Sequence, residues 1–340
     1  ASDVYKRQQR VLEEAVVNAD RPVSQIPLLT DGERAALATW NHTAADEGPV
    51  ATVVQLFEAQ VARVPHRIAV AAADGTSLTY AELNTRANQL AAMLRARRVE
   101  TSEPVGLLLD RSVDALVALV GVLKSGGAYM PLSVDAPNAR LADQLRESHA
   151  KLAVTTRAYA ARLPSTLNVI SLDADADALS RQPTENGWFS ATPDSVAYVL
   201  YTSGSTGVPK GVAVTHTNIV HYARAVSRVL ADIPQQPTGD GFAATVGDGF
   251  AALDGWKFGV ASTLAADLGN TSVFPSLLSG GTLHVLGKEV TTEPAQFAAY
   301  MTAHALDVLK ITPNHLVALL AGKNWPLPCP PSGWLRVARR

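Results

Sequence analysis

A run of small and hydroxyl-bearing residues that contains one lysine is the segment of this 340-residue sequence best suited to chemistry. It reads TSGSTGVPKG and ends at Gly211. The small residues would let backbone N–H groups approach an anion closely. Hydroxyl groups and the ammonium of Lys210 would add donors, so we expect this segment to bind a polyphosphate. The predicted binding residues are Thr202, Ser203, Gly204, Ser205, Thr206, Gly207 and Lys210.

Two common phosphate-binding motifs do not fit this segment. A Walker loop requires Gly-Lys-Ser/Thr at the start of a helix, whereas Lys210 stands between Pro209 and Gly211. A dinucleotide fingerprint requires G-x-G-x-x-G before a helix, and that pattern does not occur here. The alternative without a binding function is a flexible Ser/Gly linker. The apolar strands predicted on either side, at 196–201 and 211–214, argue against it.

The elements that must position this loop follow the alternation of an α/β protein. A strand at 105–109, a helix capped by Ser112 and ended by Gly126, and a strand at 129–132 predict a parallel βαβ unit. Thr79 and Glu82 have capping-box spacing, which predicts a long helix after them. Further strands are predicted at 68–72, 152–155, 283–286 and 306–310, and further helices at 30–40, from 53 to near Pro65, at 218–230 and after Thr312. We expect no regular structure at 1–10 and a solvated acidic loop at 172–186.

Composition and charge exclude several classes of protein. Lys plus Arg total 29 and Asp plus Glu total 31, so the net charge of −2 provides no overall attraction to nucleic acid or an anionic membrane. The single cysteine, Cys329, excludes a disulfide framework, and no histidine pair has zinc-like spacing, so we expect no metal ligands. The longest clean apolar stretch, at 115–123, is shorter than the about 20 residues that cross a bilayer. We therefore expect a cytoplasmic protein.

Three motifs in order resemble those of the adenylate-forming ligases, which include acyl- and aryl-CoA ligases, beetle luciferase and nonribosomal peptide synthetase adenylation domains. The phosphate-loop segment resembles the superfamily signature. LTYAEL at 78–83 and LKSGGAYMPL at 123–132 resemble the first two core motifs of the peptide synthetase branch. The resemblance covers residues 11–320. It implies the large N-terminal domain of an adenylate-forming ligase, truncated, with βαβ units and parallel sheets packed by helices.

The resemblance also implies a division into four parts. Residues 1–10 resemble a translated sequencing adapter and are expected to be an artefactual leader, with a natural terminus as the alternative. Residues 11–50 contain RPVSQIPLLT and WNHT and resemble a condensation-to-adenylation linker. Residues 51–322 would form a partial adenylation (AMP-binding) domain. The Pro-rich segment 323–340 is expected to be an out-of-frame or disordered tail, with a genuine Pro-rich tail as the alternative.

By the same resemblance, an aspartate that pairs with the α-ammonium of an amino acid matches Asp267. It lies 13 residues before Gly280, which is the spacing expected in the family. The Phe that usually precedes this aspartate is replaced by Ala266, which leaves that wall of the pocket undefined. A simple helix-capping role is the alternative for Asp267.

The next specificity positions implied by the resemblance are Leu268, Thr271 and Lys310. The set Asp-Leu-Thr-Lys resembles the corresponding residues of domains that select aspartate, asparagine or hydroxyaspartate. The sequence does not distinguish among these three substrates. An ammonium in the pocket would pair with a carboxylate or an amide oxygen and would disfavour an apolar side chain, because its charge would be left unpaired. A surface lysine at a strand end is the alternative for Lys310.

The reaction implied is activation of aspartate or asparagine with ATP. The amino acid carboxylate would attack the α-phosphate, giving an aminoacyl-adenylate and pyrophosphate, while Mg²⁺ and Lys210, the expected catalytic residue, neutralise the phosphates. His216 matches a histidine common in the family and is assigned to the ATP site, where we expect it to pack at the entrance. The adenylate would then pass to a phosphopantetheine thiol on a carrier domain, and condensation and carrier domains would be the neighbours of this chain.

Two other interpretations remain open. The family's adenine-binding and ribose-binding motifs and its mobile C-terminal subdomain do not occur in the 340 residues, so we expect the isolated chain to be inactive. A fragment of a stand-alone acyl- or aryl-CoA ligase is one alternative, although Asp267 and the linker argue against it. A non-catalytic fragment is the other.

Overall fold

The computed structural model describes residues 2–43, 48–187, 190–202, 210–231 and 250–320. Contacts divide the chain into two compact units, Ala1–Glu47 and Gly48–Arg340. The boundaries at residues 10, 50 and 322 that we expect from the sequence stay predictions.

The first unit begins with a helix, α1 (Ser2–Val17), so the prediction of no regular structure over residues 1–10 was wrong. The helix contains neither glycine nor proline. It carries polar pairs one turn apart, among them an ion pair of 2.9 Å between Arg10 and Glu14. Such pairs support the helix. Its apolar residues Val4, Tyr5, Val11 and Leu12 recur at helical spacing only when residues 1–10 are taken together with the residues that follow them.

The second helix of this unit, α2 (Asp31–Trp40), begins where its sequence signals predict. The Thr30 hydroxyl accepts a hydrogen bond from the Glu33 backbone N–H at 3.2 Å, and the Thr30 N–H donates to the Glu33 carboxylate at 2.8 Å. This reciprocal pair is the predicted capping box, and it satisfies two backbone donors that a helix start leaves free.

The second unit contains the strands and the remaining helices of the described chain. The strands are β1 (Ile68–Ala72), β2 (Ser77–Thr79), β3 (Pro104–Leu108), β4 (Ala128–Leu132), β5 (Leu152–Thr155), β6 (Asn168–Ser171), β7 (Val196–Thr202), β8 (Lys210–Thr215), β9 (Lys257–Val260), β10 (Thr282–Val285) and β11 (Val308–Lys310). The helices are α3 (Val53–Arg63), α4 (Tyr80–Ala96), α5 (Val113–Ser125), α6 (Asn138–Glu147), α7 (Arg157–Ala160), α8 (Ala176–Ser180), α9 (His216–Ala231), α10 (Asn270–Ser279), α11 (Lys288–Thr292), α12 (Pro294–His304) and α13 (Pro313–Leu320). Short 3-10 turns lie at Ala251–Leu253 and Asp267–Gly269.

The strands form two sheets, and the predicted α/β architecture is confirmed. One sheet has the order β11-β9-β10-β1-β2 and is parallel except for β2. The other has the order β6-β5-β3-β4-β7-β8 and is parallel except for β8. The predicted βαβ unit is β3-α5-β4. Ser112 caps α5 by accepting from the Ala115 N–H at 3.2 Å, and Gly126 ends the helix with a φ of 93° that favours glycine.

Helices α4 and α5 pack closely within a single core cluster that also contains strands of both sheets. Every residue of α5 except Asp114 in its first turn is buried, as expected for a helix that is apolar on most of its surface. Gly121 of α5 allows α4 to approach closely, because a Cβ built at Gly121 would lie 2.8 Å from Leu90 Cδ2 and 3.0 Å from Leu90 Cβ. The phosphate-loop hairpin and the parallel strand ends are thus held on a rigid core.

Several elements differ from the sequence predictions, and β2, β6, α6, α7, α11 and α12 are among those that were not predicted. The acidic segment 172–186, predicted to be a solvated loop, contains α8, because the Asp175 carboxylate accepts from the Ser171 N–H at 2.8 Å and organises the turn before it. Neither β9 nor α10 was predicted. Strand β9 has the sequence KFGV, in which Lys257 and Gly259 interrupt the apolar run, and α10 contains Pro275, a residue that normally argues against a helix interior.

Candidate functional site

The predicted phosphate loop connects the ends of an antiparallel hairpin. Strands β7 and β8 pair through Tyr198 and Val214 and end with Thr202 directly opposite Lys210, so their Cα atoms lie about 5 Å apart. Both end residues are exposed. The predicted residues between them, Ser203, Gly204, Ser205, Thr206 and Gly207, lie outside the described residues. The hairpin therefore presents one hydroxyl and one ammonium at the mouth of the predicted loop.

His216 lies at the start of α9 and is fully buried. Its Nδ1 accepts a hydrogen bond from the backbone N–H of Val53 at 3.4 Å, so the ring is neutral with its proton on Nε2. Burial lowers the pKa of this imidazole to about 4. A neutral, enclosed ring supports a packing role beneath the hairpin and argues against direct contact with a phosphate.

Asp267 forms the start of the 3-10 turn that leads into α10, and its side chain is exposed. It lines a cleft of about 240 Å³ between the β7–β8 hairpin, α9 and α10. Among the described residues that line this cleft, Asp267 carries the only charge. The other lining residues are Tyr198, Val214, Asn218, Ile219, Tyr222, Asn270 and Phe274. We call this space the Asp267 cleft.

The structure brings two of the four predicted substrate residues to the Asp267 cleft. Thr271, the second residue of α10, shares a hydrogen bond of 2.6 Å with the hydroxyl of the lining residue Tyr222. Leu268 follows Asp267 but is not part of the lining, and neither is Lys310. Lys310 is half-buried at the end of β11 and pairs in register with Val260 at the end of β9. It therefore leaves the sheet at the same edge as the connection that leads to Asp267.

Sequence reasoning missed the neutral polar groups of the Asp267 cleft. Burial raises the pKa of Tyr198, the neighbouring Asn270 side chain opposes that rise, and the Asp267 carboxylate adds to it. The hydroxyl of Tyr198 is therefore a neutral donor near neutral pH. Asn218 and Tyr222 are four residues apart on α9 and so share one face, which is a signal that the sequence contains. Asn270 could not be found without predicting α10.

A second, larger cleft of about 590 Å³ lies at the carboxyl ends of strands from both sheets. Its floor is apolar and its rim is charged. The charged residues that line it are Asp74, Asp110, Arg111, Asp135, Lys288 and Glu289. It is a neighbour of the Asp267 cleft, because the ring of Tyr129, which lines it, lies 5.3 Å from the ring of Tyr198.

No group of three or more His, Cys, Asp or Glu side chains in the described part of the chain is arranged to hold a metal ion. No described helix combines the length and the apolar character needed to cross a membrane.

A match to a known family model shows to which family this chain belongs. The family model described as AMP-binding enzyme matches residues 57–332, which is most of the chain. The chain belongs to the AMP-binding enzyme family. Like the resemblance of its motifs, the match includes the hairpin, both clefts and every predicted site residue.

The relatives of this AMP-binding chain include a surfactin synthase subunit and a tyrocidine synthase. It is 34% identical over 305 residues to surfactin synthase subunit 2 of Bacillus subtilis (strain 168), covering 89% of this chain and 8% of that protein. It is 31% identical over 311 residues to tyrocidine synthase 2 of Brevibacillus parabrevis, covering 91% of this chain and 8% of that protein. The chain therefore spans less than a tenth of the length of these relatives.

Solved structures agree with this assignment. The nonribosomal peptide synthetase FmoA3 in its α-methyl-L-serine-AMP bound form matches with a TM-score of 0.78 and 26% identity, covering 94% of this chain and 34% of that chain. The AMPPNP bound form of the same protein matches with a TM-score of 0.76 and 25% identity, covering 94% and 32%. The fold predicted from the motifs, the large N-terminal part of an adenylation domain, is thereby confirmed.

Proposed function

We propose that this AMP-binding chain belongs to a nonribosomal peptide synthetase and activates an amino acid with ATP as an aminoacyl-adenylate. The observation that carries the proposal is the β7–β8 hairpin. Tyr198 and Val214 of this hairpin line the Asp267 cleft, and the same two strands end at Thr202 and Lys210. Tyr198 and Thr202 are four positions apart along the strand, or about 13 Å. One rigid element thus joins a carboxylate-bearing cleft to the predicted phosphate loop.

In this proposal the Asp267 carboxylate pairs with the α-ammonium of the amino acid. The carboxylate is exposed at the cleft and carries the only charge among the described lining residues, which favours a cation. The hydroxyl of Tyr198 and the amide of Asn270 are neutral, so they can hydrogen-bond to a polar substrate without opposing that pairing. Phe274 and Ile219 provide the apolar walls.

Lys210 and Thr202, together with the loop residues 203–207, would hold the phosphates of ATP. Two described residues fit that role, since both are exposed at the end of the hairpin and one is a cation. Mg²⁺ would neutralise phosphate charge when bound. Lys210 would bind the phosphates as a mobile positive charge while Asp267 orients the amino acid so that its carboxylate can reach the α-phosphate.

We further propose that the amino acid is aspartate or asparagine, that the product passes to phosphopantetheine on a neighbouring carrier domain, and that the synthetase acts in the cytoplasm. Support for the substrate comes from Lys310, which leaves the five-stranded sheet beside the connection to Asp267. The length of the relatives supports neighbouring condensation and carrier domains. A stand-alone acyl- or aryl-CoA ligase is disfavoured because Asp267 would repel a simple carboxylic acid.

Amino acid binding to the 340-residue chain tests the proposal without requiring turnover. Titration followed by ligand-detected NMR would compare L-aspartate, L-asparagine, L-alanine and succinate with wild type and Asp267→Asn. We expect Asp267→Asn to weaken binding of all three amino acids by about tenfold or more, as for loss of a charge-assisted hydrogen bond. Asp143→Asn, which removes an exposed carboxylate on α6, is the matched control.

Lys310→Ala tests the substrate in the same titration. It should weaken aspartate and asparagine much more than alanine, because only their side chains can pair with the ammonium. Equal losses would remove the substrate proposal and leave adenylation standing. Binding of succinate as tight as that of the amino acids would instead favour the acyl ligase.

A further inference from the structure

Arg111 makes contacts that join the two sheets. It lies in the loop between β3 and α5, on the side of the six-stranded sheet. Its guanidinium donates to the backbone oxygen of Ala261 and, at 3.1 Å, to the hydroxyl of Thr291. Ala261 directly follows β9 of the five-stranded sheet, and Thr291 belongs to α11. One half-buried side chain therefore spans the 590 Å³ cleft that separates the strand ends.

Ala261 is the first residue of the connection that carries Asp267. Strand pairing of β9 ends at Val260, whose backbone oxygen accepts from the Leu286 N–H at 3.1 Å. Beyond it the connection makes short local bonds, such as the one from the Ala265 N–H to the Thr263 hydroxyl at 3.1 Å. Arg111 therefore fixes the connection at the point where the sheet stops holding it.

The second acceptor of Arg111 leads to the other predicted substrate segment. The backbone oxygen of Thr291 accepts from the His315 Nε2–H at 2.7 Å, and His315 lies on α13, five residues after Lys310. Thr291 is itself buried, and its hydroxyl donates to the backbone oxygen of Gly287 at 3.0 Å. The chain Arg111–Thr291–His315 thus connects the end of β9 with the helix that follows β11.

The geometry of these contacts requires the guanidinium. Its two acceptors come from different elements, and the planar fork of arginine can serve both at once, whereas a lysine ammonium is a point charge on a flexible stem. Burial lowers the pKa of Arg111, while Glu289, Asp110 and Asp135 on the elements around it oppose that change. The side chain therefore stays charged, and its hydrogen bonds to neutral oxygens are charge-assisted.

We propose that Arg111 is a positioning residue for the Asp267 cleft: it holds the Ala261 carbonyl from across the larger cleft and so sets the path of the chain that presents Asp267. This role rests on the proposed function of Asp267. Arg111 is not among the described residues that line the Asp267 cleft, so its effect is transmitted by residues 261–266.

Hydrogen exchange on the 340-residue chain tests this role without substrate. Arg111→Gln removes the charge, and Arg111→Lys keeps the charge but not the fork. We expect amides in 261–273 to exchange about tenfold faster in Arg111→Gln, with a smaller increase in Arg111→Lys and with β3, β4 and α5 unchanged. Arg111→Lys is the variant on which the test rests if Arg111→Gln does not fold.

Lys288→Ala is the matched control, because Lys288 also crosses the larger cleft, to Asp135 at 2.6 Å, but both side chains are more than 60% exposed. It should leave exchange in 261–273 unchanged. Unchanged exchange there in both Arg111 variants, or an equal increase throughout the second unit, would overturn the positioning role. These results do not depend on amino acid binding, so failure of the Asp267→Asn titration would count against the proposed function alone.

Discussion

Two buried histidines should make this chain lose stability as the pH falls below neutrality. His216 is fully buried and His284 is 5% exposed. Desolvation by burial lowers the pKa of each to about 4, against an ordinary value of 6.5, and His304 and Lys257 contribute to the shift at His284. Between these two values the unfolded chain binds a proton that the folded chain does not, so the free energy of unfolding decreases as the pH falls.

The magnitude follows from these pKa values. At pH 5 the unfolded imidazole is almost fully protonated and the folded one is mostly neutral, which costs about 2 kcal/mol per histidine relative to pH 7. The pair together should cost about 4 kcal/mol, a large part of the stability of an ordinary domain. The loss should begin near pH 6.5 and level off near pH 4.

Urea unfolding at pH 7 and pH 5, followed by circular dichroism, measures this difference. The comparison is with a His216→Asn/His284→Asn double variant. In the wild type, Nδ1 of His216 accepts from the Val53 N–H, and Nδ1 of His284 lies 2.8 Å from the Tyr300 hydroxyl. The side-chain oxygen of each asparagine keeps an acceptor near these two donors. The pH-dependent loss should be about 4 kcal/mol smaller in the double variant. If both proteins lose the same stability between pH 7 and pH 5, the two imidazoles are not held neutral in the folded chain, which would refute this prediction.

Two further predictions concern the core. Lys124→Ala should lower the free energy of unfolding by about 3–5 kcal/mol, because it leaves Glu58 without the ammonium that is buried against it. In the same urea titration Lys288→Ala should cost less than about 1 kcal/mol, because its ion pair with Asp135 is exposed. Gly121→Ala should cost about 1–3 kcal/mol, because the new Cβ would meet Leu90 at the contact between α4 and α5; an unchanged unfolding midpoint would contradict that contact.

The elements that could be predicted are those marked by local sequence signals, such as helix caps and apolar runs. The capping boxes at Thr30 and Thr79 and the Ser112 cap each mark a helix start within a few residues, so α2, α4 and α5 begin where expected. Apolar runs bounded by turns likewise identified β1, β3 and β4. In contrast, α10 contains Pro275, and the hydrogen bond that joins its residue Thr271 to α9 was therefore invisible.

Contacts between distant segments account for what the sequence could not reveal in the candidate site. Asp267 was found from a resemblance, but the cleft around it depends on Tyr198 and Tyr222, which approach it only after the hairpin and α9 have packed. Arg111 and Ala261 are 150 residues apart, and no pattern of spacing relates them. Side-chain type and order along the chain therefore predicted the chemistry, and packing decided which residues share the site.

The position of a bound amino acid would show whether the Asp267 cleft is the substrate site. In an isotope-filtered NOE experiment on the labelled 340-residue chain with unlabelled L-aspartate, we expect contacts from the amino acid α-proton to ring protons of Tyr198, Tyr222 and Phe274. These contacts would put the amino acid in the Asp267 cleft, beside the hairpin that ends at Lys210. Contacts to Leu264 or Val285 of the larger cleft instead would contradict it.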